Sequence, residues 1–139
     1  MDNTATMRKA YDRINAGDLP SFIDLLADDF VEHEEVPGIP PTKQGVLEYF
    51  GMLLSAFPDM RAEVEDLFGS GDKRVARVKM IGTHLGEFMG IPPTERRVEM
   101  KFIDIMRFNS AGLVCEHWGV ADQLSLMQQL GVVPAEPPA

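Results

Sequence analysis

One cysteine, one tryptophan and two tyrosines are all that the 139 residues contain of these three types. The lone Cys115 has no partner for an internal disulfide and belongs to no cysteine set that could hold zinc. Cations are also scarce. Thirteen Lys and Arg face 22 Asp and Glu, for a net charge of −9, which argues against nucleic acid and anionic membrane surfaces as partners. No apolar run approaches the roughly 20 residues of a membrane span. Residues 1–18 are polar and amphipathic, without the apolar centre of a signal peptide. A reducing, cytoplasmic setting is the expectation. Phosphate-cradling glycine loops and the G-x-S-x-G nucleophile elbow are missing too. Neither an internal repeat nor a low-complexity block occurs.

What is present suits one domain, expected over residues 1–133, with a Pro-rich tail at 134–139. The first third has helical spacing. Met7, Ala10, Tyr11 and Ile14 form one stripe that stops at Gly17. Asp18 can cap a second helix with Phe22, Ile23, Leu25 and Leu26 on its buried side. A short strand is expected over 28–34. Thr42 can cap a third helix carrying Val46, Leu47, Phe50, Leu53, Leu54 and Phe57, ended by Pro58. From there the period changes to two. Strands are expected over 64–68, 74–85, 97–108 and 113–120, followed by a short amphipathic segment through Leu124, Met127 and Leu130. Helices first and an antiparallel meander afterwards make an α+β fold, with the helices on one face of the sheet.

Alternation also assigns the faces. Ala76, Val78, Met80, Gly82 and His84 share one, and Val98, Met100, Phe102, Asp104, Met106 and Phe108 share another. Asp104 therefore stands in an apolar row. Desolvation there would raise its pKa toward the range of a general acid or base. The other reading of Asp104 is a carboxylate satisfied by an internal Arg, Tyr or backbone group. On the last strand Leu113, Cys115, His117 and Gly119 share a face, so His117 can meet Asp104 if that face is internal. His33 and His84 are candidate substrate-orienting donors. Met80, Met100, Phe102 and Met106 are candidate pocket walls, joined by Phe88 and Trp118. No metal or cofactor is expected, because the acidic run Glu32–Glu35 around His33 alternates faces and reads as a solvated strand end. Cys115 reads as inert core. The connection 86–94 carries Phe88, Met89 and Ile91 between glycines and prolines. It fits either a lid over a pocket or a plain β-connection packed on the sheet edge.

Several segments carry a resemblance. Asn15-Ala16-Gly17-Asp18, Phe57-Pro58-Asp59, the connection from Gly86 to Arg97, Glu116-His117-Trp118 and Gln128-Gln129-Leu130-Gly131 occur in the order found in SnoaL-like polyketide cyclases. That family, also called ester cyclases, lies within the nuclear-transport-factor-2-like superfamily. The resemblance implies a cone-shaped roll, a curved antiparallel sheet wrapped round three N-terminal helices, with a deep apolar pocket and a homodimeric assembly. It also implies cofactor-free ring closure. An acidic residue removes a proton alpha to a carbonyl, and the enolate attacks a second carbonyl. In the family the acid lies two residues after the last-strand histidine. Here His117 is kept and that position is Gly119, while Asp104 occupies a position often held by histidine. Either Asp104 has taken over the acid–base role or ring closure is absent. Two principal functions follow. One is acid–base catalysis by Asp104 and His117 on a small hydrophobic carbonyl compound, through aldol closure, dehydration or isomerisation. The other is non-catalytic binding of an apolar ligand. Oxygen insertion is a variant of the first, and a pocketless dimerisation module is a third reading.

Overall fold

The computed structural model describes residues 2–135. The end of the expected Pro-rich tail, residues 136–139, lies outside the described residues. Helix α1 (Asn3–Asn15) begins where the Asp2 side chain accepts the amide of Ala5. Its buried stripe is Thr6, Met7, Ala10, Tyr11 and Ile14, as the spacing requires. At its end the Asn15 amide pairs with both backbone groups of Ala62, tying α1 to the sheet. Asp18 caps α2 (Leu19–Ile23) through Ser21. This helix is shorter than the sequence suggests. Leu26 opens strand β1 (Leu26–Glu32) instead of closing the helix, because its backbone pairs beside Val114. Thr42 caps α3 (Lys43–Ala56) by accepting the amide of Gly45. Such a cap contributes about 1 kcal/mol.

Strands β2 (Arg61–Ser70), β3 (Lys73–Thr83), β4 (Arg97–Phe108) and β5 (Val114–Ala121) form the antiparallel meander. The sheet order is β1-β5-β4-β3-β2. The first strand joins the far edge in parallel with β5. Helix α4 (Gln123–Gln129) is capped by Asp122 and held to β4, where the Gln129 amide pairs with both backbone groups of Glu99. The inward faces of β3 and β4 carry the two rows read from the alternation. Ala76, Val78 and Val98 are completely buried, and Asp104 is 7% exposed among them.

Among the described residues, two bulges bend the antiparallel part of the sheet. One falls at Glu65 in β2 and the other at Cys115 in β5, where Phe108 faces Val114 but Arg107 faces Glu116. An extra residue in one strand reverses the side-chain alternation on either side of it. The second bulge corrects the expected face of β5. Val114 points inward below the bulge, and His117 and Ala121 point inward above it, whereas Cys115 is turned so that its thiol meets the carbonyl of Arg107.

Candidate active site

A cavity of about 510 Å³ opens between the concave sheet face and the three N-terminal helices. It falls in the size range of small-molecule sites. Its walls are apolar, with Phe22, Phe30 and Leu53 on one side and Met80, Met100, Phe102 and Met106 on the other. The segment 36–41 borders it. Gly45 lets that segment pack against α3, since a side-chain carbon at Gly45 would overlap the Pro40 carbonyl.

Polar groups gather at one end of this apolar space. The Tyr11 hydroxyl donates to Asp104 Oδ2 at 2.6 Å. Asp104 Oδ1 meets His117 Nε2 at 2.7 Å, and His117 Nδ1 meets Glu32 Oε2 at 2.5 Å. Helix α1, strand β4, strand β5 and strand β1 thus each supply one member of a continuous hydrogen-bonded chain. The β4–β5 register puts Asp104 opposite Gly119, with His117 two residues away on the same face. Burial alone would strip the proton from His117, but the hydrogen bonds and charges of Asp104 and Glu32 outweigh it and hold the imidazole at about 10. His117 is therefore a cation at neutral pH and donates from both nitrogens. Burial, reinforced by Asp104, keeps Tyr11 protonated far beyond the ordinary phenol range.

Glu34 and Tyr49 complete the cluster. Burial raises the Glu34 carboxyl, His117 opposes that shift, and the charges of Asp104 and Glu32 add to it. Burial also moves Tyr49 up to about 12, with Glu34, Glu32 and Asp104 contributing. Oxygens of Glu34 and Asp104 and a nitrogen of His117 lie within 4.8 Å of one another. That spacing could surround a cation only if the imidazole first surrendered a proton that Asp104 and Glu32 stabilise.

Asp104 and His117, the pair singled out from the sequence, are in contact, and Met80, Met100, Phe102 and Met106 line the cavity. Four other candidates are elsewhere. His33 stacks on Trp118 at 4.7 Å and bonds Glu116, both rings lying on the outer face because that face alternates with His117. His84 is completely buried beside Phe57, with Nδ1 held by Thr94. Phe88 packs on Phe57 and pairs its backbone with Ile91, so the 86–94 connection covers the end of α3 and contributes nothing to this cavity. Glu32, Glu34, Tyr11 and Tyr49 were not singled out as site residues. A signal for the two glutamates existed. Phe30, Glu32 and Glu34 share one face by alternation, and Phe30 is buried.

The Tyr11 hydroxyl has a measurable role. Tyr11→Phe leaves a buried carboxylate oxygen short of a donor, and the expected cost is about 1–3 kcal/mol in chemical denaturation. An unchanged midpoint would show that the hydroxyl contributes nothing to the buried carboxylate.

The sequence model of SnoaL-like polyketide cyclases matches residues 5–130. Among curated proteins none matches. The fold is similar to that of AclR, a candidate hydroxylase from Streptomyces galilaeus, at 30% identity and a TM-score of 0.85 over 97% of this chain and 84% of that one. It is also similar to IdmH, a candidate polyketide cyclase from Streptomyces antibioticus, at 35% identity and a TM-score of 0.82 over 94% of this chain and 99% of that one. With the family pattern spanning nearly every described element, the chain belongs to the SnoaL-like polyketide cyclase family.

Proposed function

We propose that this chain is a cofactor-independent acid–base enzyme acting on a small hydrophobic carbonyl compound, with Asp104 and His117 as the central pair. The observation that carries the reading is the charged chain Tyr11–Asp104–His117–Glu32 set at one end of an otherwise apolar cavity. Ionised groups are costly to hold there and are kept only where they are mutually satisfied. In such a site a carboxylate can take a proton alpha to a carbonyl. Fixed donors then stabilise the enolate oxygen, an effect typically worth a few kcal/mol of barrier. Aldol closure, dehydration and isomerisation all begin from that enolate. The neighbours AclR and IdmH, one a candidate hydroxylase and the other a candidate cyclase, support this class of chemistry without choosing within it.

Incubation with a panel of polyketide and terpenoid carbonyl compounds tests the reading. Products of ring closure and isomerisation keep the mass and change retention, dehydration removes water, and oxygen insertion adds one oxygen atom. Every compound recovered unchanged, despite binding, would replace this reading with the second one, an apolar-ligand carrier. That second reading draws on Gly119, which offers no side chain where the family places its acid.

We propose separately that the chain works in a reducing cytoplasm as a homodimer. The convex face carries an apolar stripe, Val75–Ile105–Trp118 with Ile103–Val120 beside it, aligned by strand register. Val120 is 77% and Ile103 49% exposed, more than an isolated chain needs to leave uncovered. Val120→Glu combined with Ile103→Glu is expected to halve the mass seen by light scattering. A monomeric parent protein would overturn the dimer.

A further inference from the structure

Position 119 is the inward-facing residue directly across the ladder from Asp104 and two residues after His117. Having no side chain, it leaves a hollow beside the imidazole. The hollow is filled from another part of the chain. A β-carbon added at Gly119 would overlap Glu34 Oε2 and stand 2.9 Å from His117 Cε1. Glu34 lies just beyond β1, where its backbone amide is held by the Glu32 carboxylate at 3.2 Å. Strand β1 thus delivers two acids to one imidazole, Glu32 to Nδ1 and Glu34 over the ring edge. The two oxygens of Asp104 are engaged by His117 and Tyr11, whereas among the described residues the Glu34 oxygens accept no hydrogen bond.

We propose that Glu34 is the proton-accepting residue of this site, its carboxylate reaching from the end of β1 into the space left open by Gly119, with Asp104 holding His117 in its cationic form. The assignment rests on the acid–base reading above and deepens it. In the step it performs, the C–H bond alpha to the substrate carbonyl breaks. Its electron pair remains on the substrate as the enolate, and the proton forms the O–H of Glu34. In deuterated water that O–H exchanges, and a deuteron returns to the carbon.

Deuterium exchange at the alpha carbons of 2-tetralone, a flat bicyclic ketone, provides the test by NMR. The parent protein should accelerate exchange over buffer alone. Glu34→Gln should reduce that acceleration by about 100-fold or more with a thermal melt no lower than the parent's. Gly119→Ala should reduce it as well, since the added methyl evicts the carboxylate. Returning an acid through β5, in the double variant Glu34→Ala with Gly119→Asp, should recover about tenfold over Glu34→Ala alone. A pH profile separates chemistry from scaffolding. Glu34 is faced by Glu32 of β1, Tyr49 of α3, Asp104 of β4 and His117 of β5. Burial opposes its ionisation and raises its pKa, so the acid limb of the parent profile should lie above the ordinary glutamate range and disappear in Glu34→Gln. Exchange lost in Asp104→Asn but retained in full in Glu34→Gln overturns the Glu34 assignment alone. No exchange by the parent protein overturns the acid–base reading and this assignment with it.

Discussion

Asp104→Asn is expected to leave the chain folded and to lower turnover by about 10²- to 10⁴-fold, the usual contribution of a general acid, because His117 loses a charge that keeps it protonated. Asparagine has nearly the same shape and keeps an oxygen for His117. It loses the negative charge, and with it one of the two carboxylates that retain the imidazole proton. It also presents an NH₂ group where the Tyr11 hydroxyl now donates, so Tyr11 must turn its proton away. The damage is therefore to protonation and not to packing. Kinetics on the carbonyl panel, together with a thermal melt, separate the two. Turnover equal to that of the parent would remove Asp104 from the chemistry, and a large fall in melting temperature would make its role structural.

The second large effect concerns pH and stability. His117 moves from 6.5 in the unfolded chain to about 10 in the folded one. The folded state thus binds the proton more tightly. The stabilisation is complete below pH 6.5, declines as pH rises, and is gone above about 10. Within that window the slope approaches about 1.4 kcal/mol per pH unit, so the total amounts to a few kcal/mol. Tyr49, raised from 10.0 to about 12, acts in the same direction only above pH 10. Glu34, raised from 4.5, also acts in the same direction: its contribution is complete below pH 4.5, is lost as the buried carboxyl ionises, and stays lost at higher pH. Denaturation midpoints taken between pH 6.5 and 9.5 should fall steadily for the parent protein and much less for His117→Gln. A flat profile for the parent would mean that the imidazole is neutral and the chain of charges is misassigned.

Much of this arrangement was legible because strands repeat every two residues. The twelve residues of β4 have the bounds read from their alternation, and Asp104 was marked by standing in an apolar row. The same rule failed at Cys115. One bulged residue turns Val114 into the cavity and Cys115 toward Arg107, and nothing in the local sequence signals it. His33 and Trp118 drew notice as chemistry-bearing residue types, but they stack together on the convex face. Glu32 and Glu34 are disguised in the sequence because a run of three acids around one histidine resembles a solvated strand end. Only the partner strand reveals that two of those acids face inward, since Glu32 pairs with His117 across a sequence separation of 85 residues. Tyr11 was legible as part of a helical stripe. Its attachment to Asp104, 93 residues away, was not. Periodicity reports which face a residue occupies, while the identity of its partner depends on topology.

Strand β1 lies at the rim of the sheet and slips register between Leu26 and Val31 before it aligns Glu32 with His117. A rim strand of this kind can peel away at a lower free-energy cost than the central β3–β4 ladder, without global unfolding. Peeling would carry Glu32 and Glu34 into water together and leave the imidazole with Asp104 as its single counter-charge. The molecule would then lose its reactive acids while most of its architecture stood intact.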